Sequence, residues 1–144
     1  ISGSRHLPPQ PYLIGKQMED FMVKFQEMEA RKSHPVLIAA YLHDELVRVH
    51  PFIDGNGRTA RLLMNLYLLR NGYTIVNLKG SNEAKISYYK ALEVSHMDKE
   101  PEKFQKVVTE AETISLRHYL SILGDTEVEA GWYGIDGVYG YDPR

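Results

Sequence analysis

The stretch VHPFIDGNGRTARLLMN, residues 49–65, decides how the chain is read. A histidine, an aspartate, a Gly-Asn-Gly turn and two arginines precede a run of apolar sequence. Pro51 should end the helix ahead of it, because proline disfavours the α conformation in the residue before it. A new helix is predicted to begin near Gly57 or Arg58 and to stop at Asn71-Gly72. Its mouth offers unpaired N–H groups and the positive end of the helix dipole. Glycines there allow left-handed conformations and a close approach of backbone to an anion. Arg58 and Arg61, three apart, project from one side of that helix. Cations are unfavourable at a helix N-terminus, and such a local conflict marks a functional site. A bound polyphosphate would resolve it.

The remaining residues of the stretch then acquire roles. A carboxylate beside phosphate repels it unless a cation lies between, and Mg²⁺ uses one or two carboxylates plus phosphate oxygens, so Asp54 is the candidate metal ligand. His50, facing across the loop, could take a proton from an attacking hydroxyl. Phe52 is expected to turn inward and pin the loop. The set reads as a site for a nucleoside triphosphate whose phosphates are cut. A second reading makes His43, His50 and Asp54 transition-metal ligands, but it leaves the arginines beside a cation without purpose.

Outward from the stretch the chain is helical. Ile14, Met18, Phe21, Phe25 and Met28 recur at steps of three or four after Pro11, which predicts an amphipathic helix with those residues in the core. Ser33-His34-Pro35 opens the next helix, with proline near the first position, and Val36, Ala39, Ala40, His43, Val47 and His50 share a face. The helix after the Gly-Asn-Gly turn is apolar around most of its circumference, which predicts the central, most buried helix. Residues 74–78, TIVNL, are a short strand or an extended connector. Ser81 caps a helix carrying Ile86, Tyr89, Leu92 and Glu93, and Asp98 with Pro101 opens a last long helix that ends at Gly124. The expected fold is mostly α, five or so helices around a buried one, with a small β element at the start.

The opening, ISGSRHLPPQP, reads as an extended or hairpin-edge segment closed by a stiff turn. The last twenty residues change to glycine and aromatic side chains, as an extended tail or a partner-binding strand would. Two segments follow: a core over 1–124 and a tail of unknown role over 125–144. At 144 residues the chain suits one domain. Its 43% apolar and 25% charged content is that of a globular protein. A net charge of −2 gives no general affinity for nucleic acid or an anionic membrane, so any anion site is local. The absence of cysteine excludes disulfides and thiolate metal sites. No apolar run approaches the roughly 20 residues of a membrane span. The start at Ile1, without Met or a signal-like segment, suggests a piece of something longer, and the expected location is the cytoplasm.

His50-Pro-Phe-Ile-Asp54-Gly-Asn-Gly-Arg58-Thr-Ala-Arg61 resembles the Fic family motif, HPFx(D/E)GNGRxxR, at every specified position. The likeness runs from about Gly3 to Leu123 and includes SHPVLIAAYLHDELVRVHPF, RLLMNLYLLRNGY and SYYKALE. It is similar in particular to the Fic (filamentation induced by cAMP) proteins related to the animal chaperone-modifying enzyme. The resemblance implies an α-helical Fic fold with a hairpin flap, its start here truncated within that flap. It also implies AMPylation, the transfer of AMP from ATP to a Ser, Thr or Tyr hydroxyl of a target protein.

On that resemblance His50 deprotonates the target hydroxyl, and Asp54 holds Mg²⁺ between the α- and β-phosphates. The amides of Gly55, Asn56 and Gly57, with Arg58, cradle the leaving pyrophosphate; Thr59 flanks them, and Arg61 meets the γ-phosphate. Gly3, Ser4, Arg5 and His6 match the flap that covers the nucleotide and aligns the target segment as an added strand. Tyr88 and Tyr89 match an aromatic pair near adenine, although Tyr89 could equally belong to the core. His96 stands where relatives commonly carry Asn. Gly57 separates the chain from the kinase-like Doc branch, which has Lys there. The autoinhibitory pattern (S/T)xxxE(G/N) is absent from the sequence, which leaves an upstream helix, a separate inhibitory partner or a homo-oligomer open. It also leaves deAMPylation without support. Other nucleotidyl or phosphocholine transfers, or a regulatory module that binds nucleotide and partner without turnover, are the competing functions.

Overall fold

The computed structural model describes residues 9–124. The expected flap residues Gly3, Ser4, Arg5 and His6 and the tail 125–144 lie outside the described residues. Five helices follow in order: α1 (Pro11–Ala30), α2 (Pro35–Val49), α3 (Asn56–Arg70), α4 (Asn82–Asp98) and α5 (Pro101–Ile122).

The helix boundaries follow local chemistry. Proline occupies the first turn of α1, α2 and α5, where its missing N–H costs nothing. His34 caps α2: its Nδ1 accepts the Val36 N–H at 3.3 Å. Ser81 caps α4 by accepting the Ala84 N–H at 3.1 Å. Asn71 closes α3, and Gly72 follows in the left-handed conformation at φ 82°.

The central helix is α2, which packs against each of the other four. Ten of its 15 residues are buried, and they surround the helix rather than marking one face. Ile38, Leu42, Leu46 and Val49 are buried beside the expected Val36, Ala39, Ala40, His43 and Val47. The expectation that the helix after the Gly-Asn-Gly turn is the most buried is therefore corrected. In α3 only Asn56, Ala60, Met64, Tyr67 and Leu68 are buried, whereas Leu62, Leu66 and Leu69 face solvent. Composition alone could not separate the two, since both helices are apolar on most sides and only the packing order decides which lies inside.

One smaller expectation also changes. In α4 the buried face is Ala84, Tyr88, Ala91, Leu92 and Ser95; Leu92 is buried as expected, whereas Ile86 and Tyr89 are exposed. In α1 Phe21 is buried, and Met18, Phe25 and Met28 pack against the core as partly buried side chains. Residues 74–78 form a connector, and no strand occurs among the described residues. The connector's peptides are satisfied by side chains instead of a neighbouring strand. Thr74 gives its N–H and its hydroxyl to Glu112 Oε1, both at 2.8 Å. Val76 N–H donates to Asn65 Oδ1 at 2.8 Å, and its carbonyl accepts from Asn65 Nδ2 at 3.1 Å.

Candidate active site

The site is built where α2 stops and α3 starts. His50 N–H still closes the last turn of α2 on the Leu46 carbonyl at 3.0 Å. The residue itself turns into the left-handed region at φ 54° and ψ 55°, and Pro51 then prevents any continuation. A residue with a Cβ costs roughly 1–2 kcal/mol in that conformation, so the loop holds backbone strain where a functional histidine is expected. His50 Nδ1 lies 3.3 Å from the Val47 carbonyl, which can only accept. In the neutral ring that contact assigns the proton to Nδ1 and leaves the lone pair on Nε2.

The loop 51–55 is pinned by an asparagine and not by Phe52 as expected. Asn56, 2% exposed, accepts the Phe52 N–H on Oδ1 at 2.9 Å and donates from Nδ2 to the Phe52 carbonyl at 2.6 Å. The Phe52 side chain is 48% exposed, and Ile53 beside it is fully exposed. Asn56 thereby reproduces a backbone pairing with its side chain, which fixes the loop without a buried aromatic.

Gly55, at φ 84°, is the N-cap of α3, and no side chain caps the helix. Helix α3 begins at Asn56, one residue before the predicted start. The Thr59 N–H is given to the Gly55 carbonyl at 2.9 Å. Among the described residues, the N–H groups of Asn56, Gly57 and Arg58 have no hydrogen-bond partner. They form an open set of donors at the positive end of the helix dipole. Of the two glycines only Gly55 uses left-handed space. Gly57 is helical, and its value is room: a Cβ there would lie 3.4 Å from Arg61 Nη1.

The two arginines behave differently. Arg58 Nη2 donates to Asp54 Oδ2 at 3.0 Å across the loop, with both side chains largely in solvent. Arg61 turns inward, and its buried Nη1 has no hydrogen-bond partner among the described residues. A buried guanidinium nitrogen left in this way is costly, and an anion is the group that would satisfy it.

These residues line one cavity of about 320 Å³ together with Val47, Ile53, Lys79, Tyr88 and Tyr89. The structure thus brings together His50, Asp54, Gly55, Asn56, Gly57, Arg58, Arg61, Tyr88 and Tyr89, residues up to 39 positions apart in sequence. Thr59 is exposed and outside the lining. Tyr88 is the core member of the tyrosine pair at 2% exposure, whereas Tyr89 stands at the cavity with 38% exposed. Burial pushes the Tyr88 phenol up to about 12, against the opposing charge of Arg61.

His43, the alternative metal ligand, lies outside that lining. It stacks on Phe104 at 4.9 Å between centroids and meets Tyr88 edge-on at 5.6 Å, with Nε2 3.3 Å from the Tyr88 hydroxyl. Burial, followed by the charges of Arg61, Lys79 and His96, drives its pKa down to about 3, so it is a neutral core residue. His96 is also committed elsewhere: its Nε2 lies 2.8 Å from Asp44 Oδ1, joining α4 to α2. Asp44 accepts from the Ser95 hydroxyl as well. Among the described residues no group of three or more His, Asp or Glu could hold a metal ion. Asp54, exposed at the cavity, nevertheless fits the single-carboxylate demand of a Mg²⁺ that takes its other ligands from phosphate and water.

Lys79 was not singled out by sequence reading. It lies in the connector, where no period constrains the direction of a side chain. The available signal was its place just before the Gly80-Ser81 start of α4.

A family model described as the Fic/DOC family matches residues 1–68. Relatives named "Protein adenylyltransferase Fic" include one from Drosophila persimilis, 43% identical over 91 residues, which are 63% of this chain and 18% of that protein. The one from Nematostella vectensis is 41% identical over 99 residues, 68% of this chain and 23% of that protein. The chain therefore spans about a fifth of the length of these curated relatives. A solved fragment of Fic-1 from C. elegans superposes with a TM-score of 0.70 at 30% identity, covering 86% of this chain and 38% of that one. No described helix is long and apolar enough to cross a membrane.

Proposed function

The chain belongs to the Fic/DOC family, and from that premise we propose that it is a protein adenylyltransferase that moves AMP from ATP to a Ser, Thr or Tyr hydroxyl of a target protein. The observation that carries the reading is the uncapped start of α3: open amides at 56–58 and the unpartnered Arg61 Nη1 share one cavity with His50.

The triphosphate lies against those amides, with Arg61 satisfied by its terminal phosphate and Arg58 released from Asp54 to reach the leaving group. Asp54 would hold Mg²⁺, which supplies neutralisation of phosphate charge. The target oxygen attacks the α-phosphorus while its proton passes to His50 Nε2. A new O–P bond forms, the α–β bridging bond breaks, and pyrophosphate departs with that electron pair. The loop asparagine and the His50–Val47 contact hold the base in place, so little reorganisation is needed when charge develops. Tyr89 offers a partly exposed ring to the nucleobase, and Gly3 to His6 would align the target segment by strand addition.

The test is transfer from α-labelled ATP. General-base removal costs on the order of 10²- to 10⁴-fold, so His50→Ala should lose that much labelling while ATP binding is kept. Equal labelling by parent and variant would refute the role of His50. ATP binding by the parent with no AMP adduct on any protein of a lysate would instead support a nucleotide-binding module without turnover.

A further inference from the structure

Resting on that reading of the cavity, we propose that Lys79 is a third cationic contact for the nucleotide phosphates, working together with Arg58 and Arg61 in the same lining. The cavity lining holds Arg58, Arg61 and Lys79 against one carboxylate, Asp54, and Asp54 is already bonded to Arg58. Among the described residues no carboxylate pairs with Arg61 or Lys79. Among the described residues Lys79 Nζ has neutral company: the Tyr89 hydroxyl, to which it donates, and the faces of Tyr89 and Tyr88 at 4.5 and 5.0 Å from the ring centroids. One of its three N–H donors serves Tyr89, and the others remain for a ligand.

Both cations act on the same region. Arg61 and Lys79 are the two largest charge contributions that depress His43, after burial itself. Two uncompensated cations facing one cavity repel each other until a polyanion lies between them. The backbone under Lys79 is held firmly: Val76 is paired to Asn65, Leu78 is buried, and Ser81 caps α4 two residues later. Only the lysine side chain has freedom, so it can leave the tyrosine rings for a phosphate oxygen without moving the fold.

The bland reading is that Lys79 only props Tyr89. A charge contact is screened by salt, whereas a propping role is not. ATP affinity should therefore be measured for the parent, Lys79→Met and Lys79→Arg at low and high salt, with thermal melts to verify folding. At low salt Lys79→Met should bind ATP about tenfold more weakly, the scale of one charge-assisted hydrogen bond. The deficit should shrink at high salt, and Lys79→Arg should bind close to the parent. An undiminished deficit at high salt, or no deficit in Lys79→Met, overturns the proposal. ATP binding by a parent that forms no AMP adduct sinks the transfer reaction and leaves the Lys79 contact standing. A parent that does not bind ATP sinks both.

Discussion

Asn65, in the middle of α3, pairs with both backbone polar groups of Val76, accepting its N–H at 2.8 Å and donating to its carbonyl at 3.1 Å. An asparagine side chain thus stands in for the neighbouring strand that the connector lacks. The same device recurs at the site, where Asn56 pairs with both the N–H and the carbonyl of Phe52. Two amides, nine positions apart on one helix, anchor the two loops that carry His50, Asp54 and Lys79 to the cavity.

Removing the first anchor should be costly. Asn65→Ala leaves the N–H and the carbonyl of buried Val76 unpaired, and each orphaned group costs about 1–3 kcal/mol. Urea unfolding should show a loss of about 2 kcal/mol or more, with ATP affinity reduced as the Lys79 segment loosens. A variant as stable as the parent would show that the pairing carries no stability.

The two glycines should respond in opposite directions. Gly55→Ala places a Cβ at φ 84°, which should destabilise by about 1–2 kcal/mol. Gly57→Ala introduces a better helix former where the added Cβ meets Arg61 Nη1 at 3.4 Å. It should raise stability by about 0.5–1 kcal/mol while weakening ATP binding, because the methyl intrudes where backbone and Arg61 converge. Thermal melts and calorimetry on the pair test this, and matching signs would refute the distinction.

Glu112 should give an unusual pH dependence. Burial raises its pKa above 4.5, although the Thr74 N–H and hydroxyl oppose the shift. The folded state therefore holds the proton more tightly than the unfolded chain. The associated stability is fully present below the unfolded value and is lost as pH rises through the higher folded one. Relative to Glu112→Gln, the parent should lose stability as pH rises from 4.5. A constant difference between the two proteins across that window would contradict the assignment.

His43 acts in the other direction. Its folded pKa of about 3 lies below the usual 6.5, so the unfolded chain binds the proton first as pH falls. Stability should decline from pH 6.5 downward toward 3, and His43→Phe should remove part of that decline. Phenylalanine keeps the ring stack on Phe104 but forgoes the contact with the Tyr88 hydroxyl, so the variant should be somewhat less stable at neutral pH. Acid unfolding curves that superimpose would refute the role.

By itself the sequence determined the places where helices start and stop, because proline, serine and glycine act through local φ and hydrogen-bonding constraints. It also determined that an imidazole, a carboxylate, open amides and two guanidinium groups meet within twelve positions, since one loop between two helices cannot separate them. Only the tertiary structure decided which helix is central. Leu62, Leu66 and Leu69 look as buried in sequence as Leu42 and Leu46, yet burial depends on what packs around a helix and not on its own composition. It likewise decided that Asn56 rather than Phe52 locks the loop, that Tyr88 is core while Tyr89 faces the cavity, and that Lys79 shares its lining with Arg61. Those relations join elements distant in sequence, and side chains on a connector point where long-range hydrogen bonds aim them.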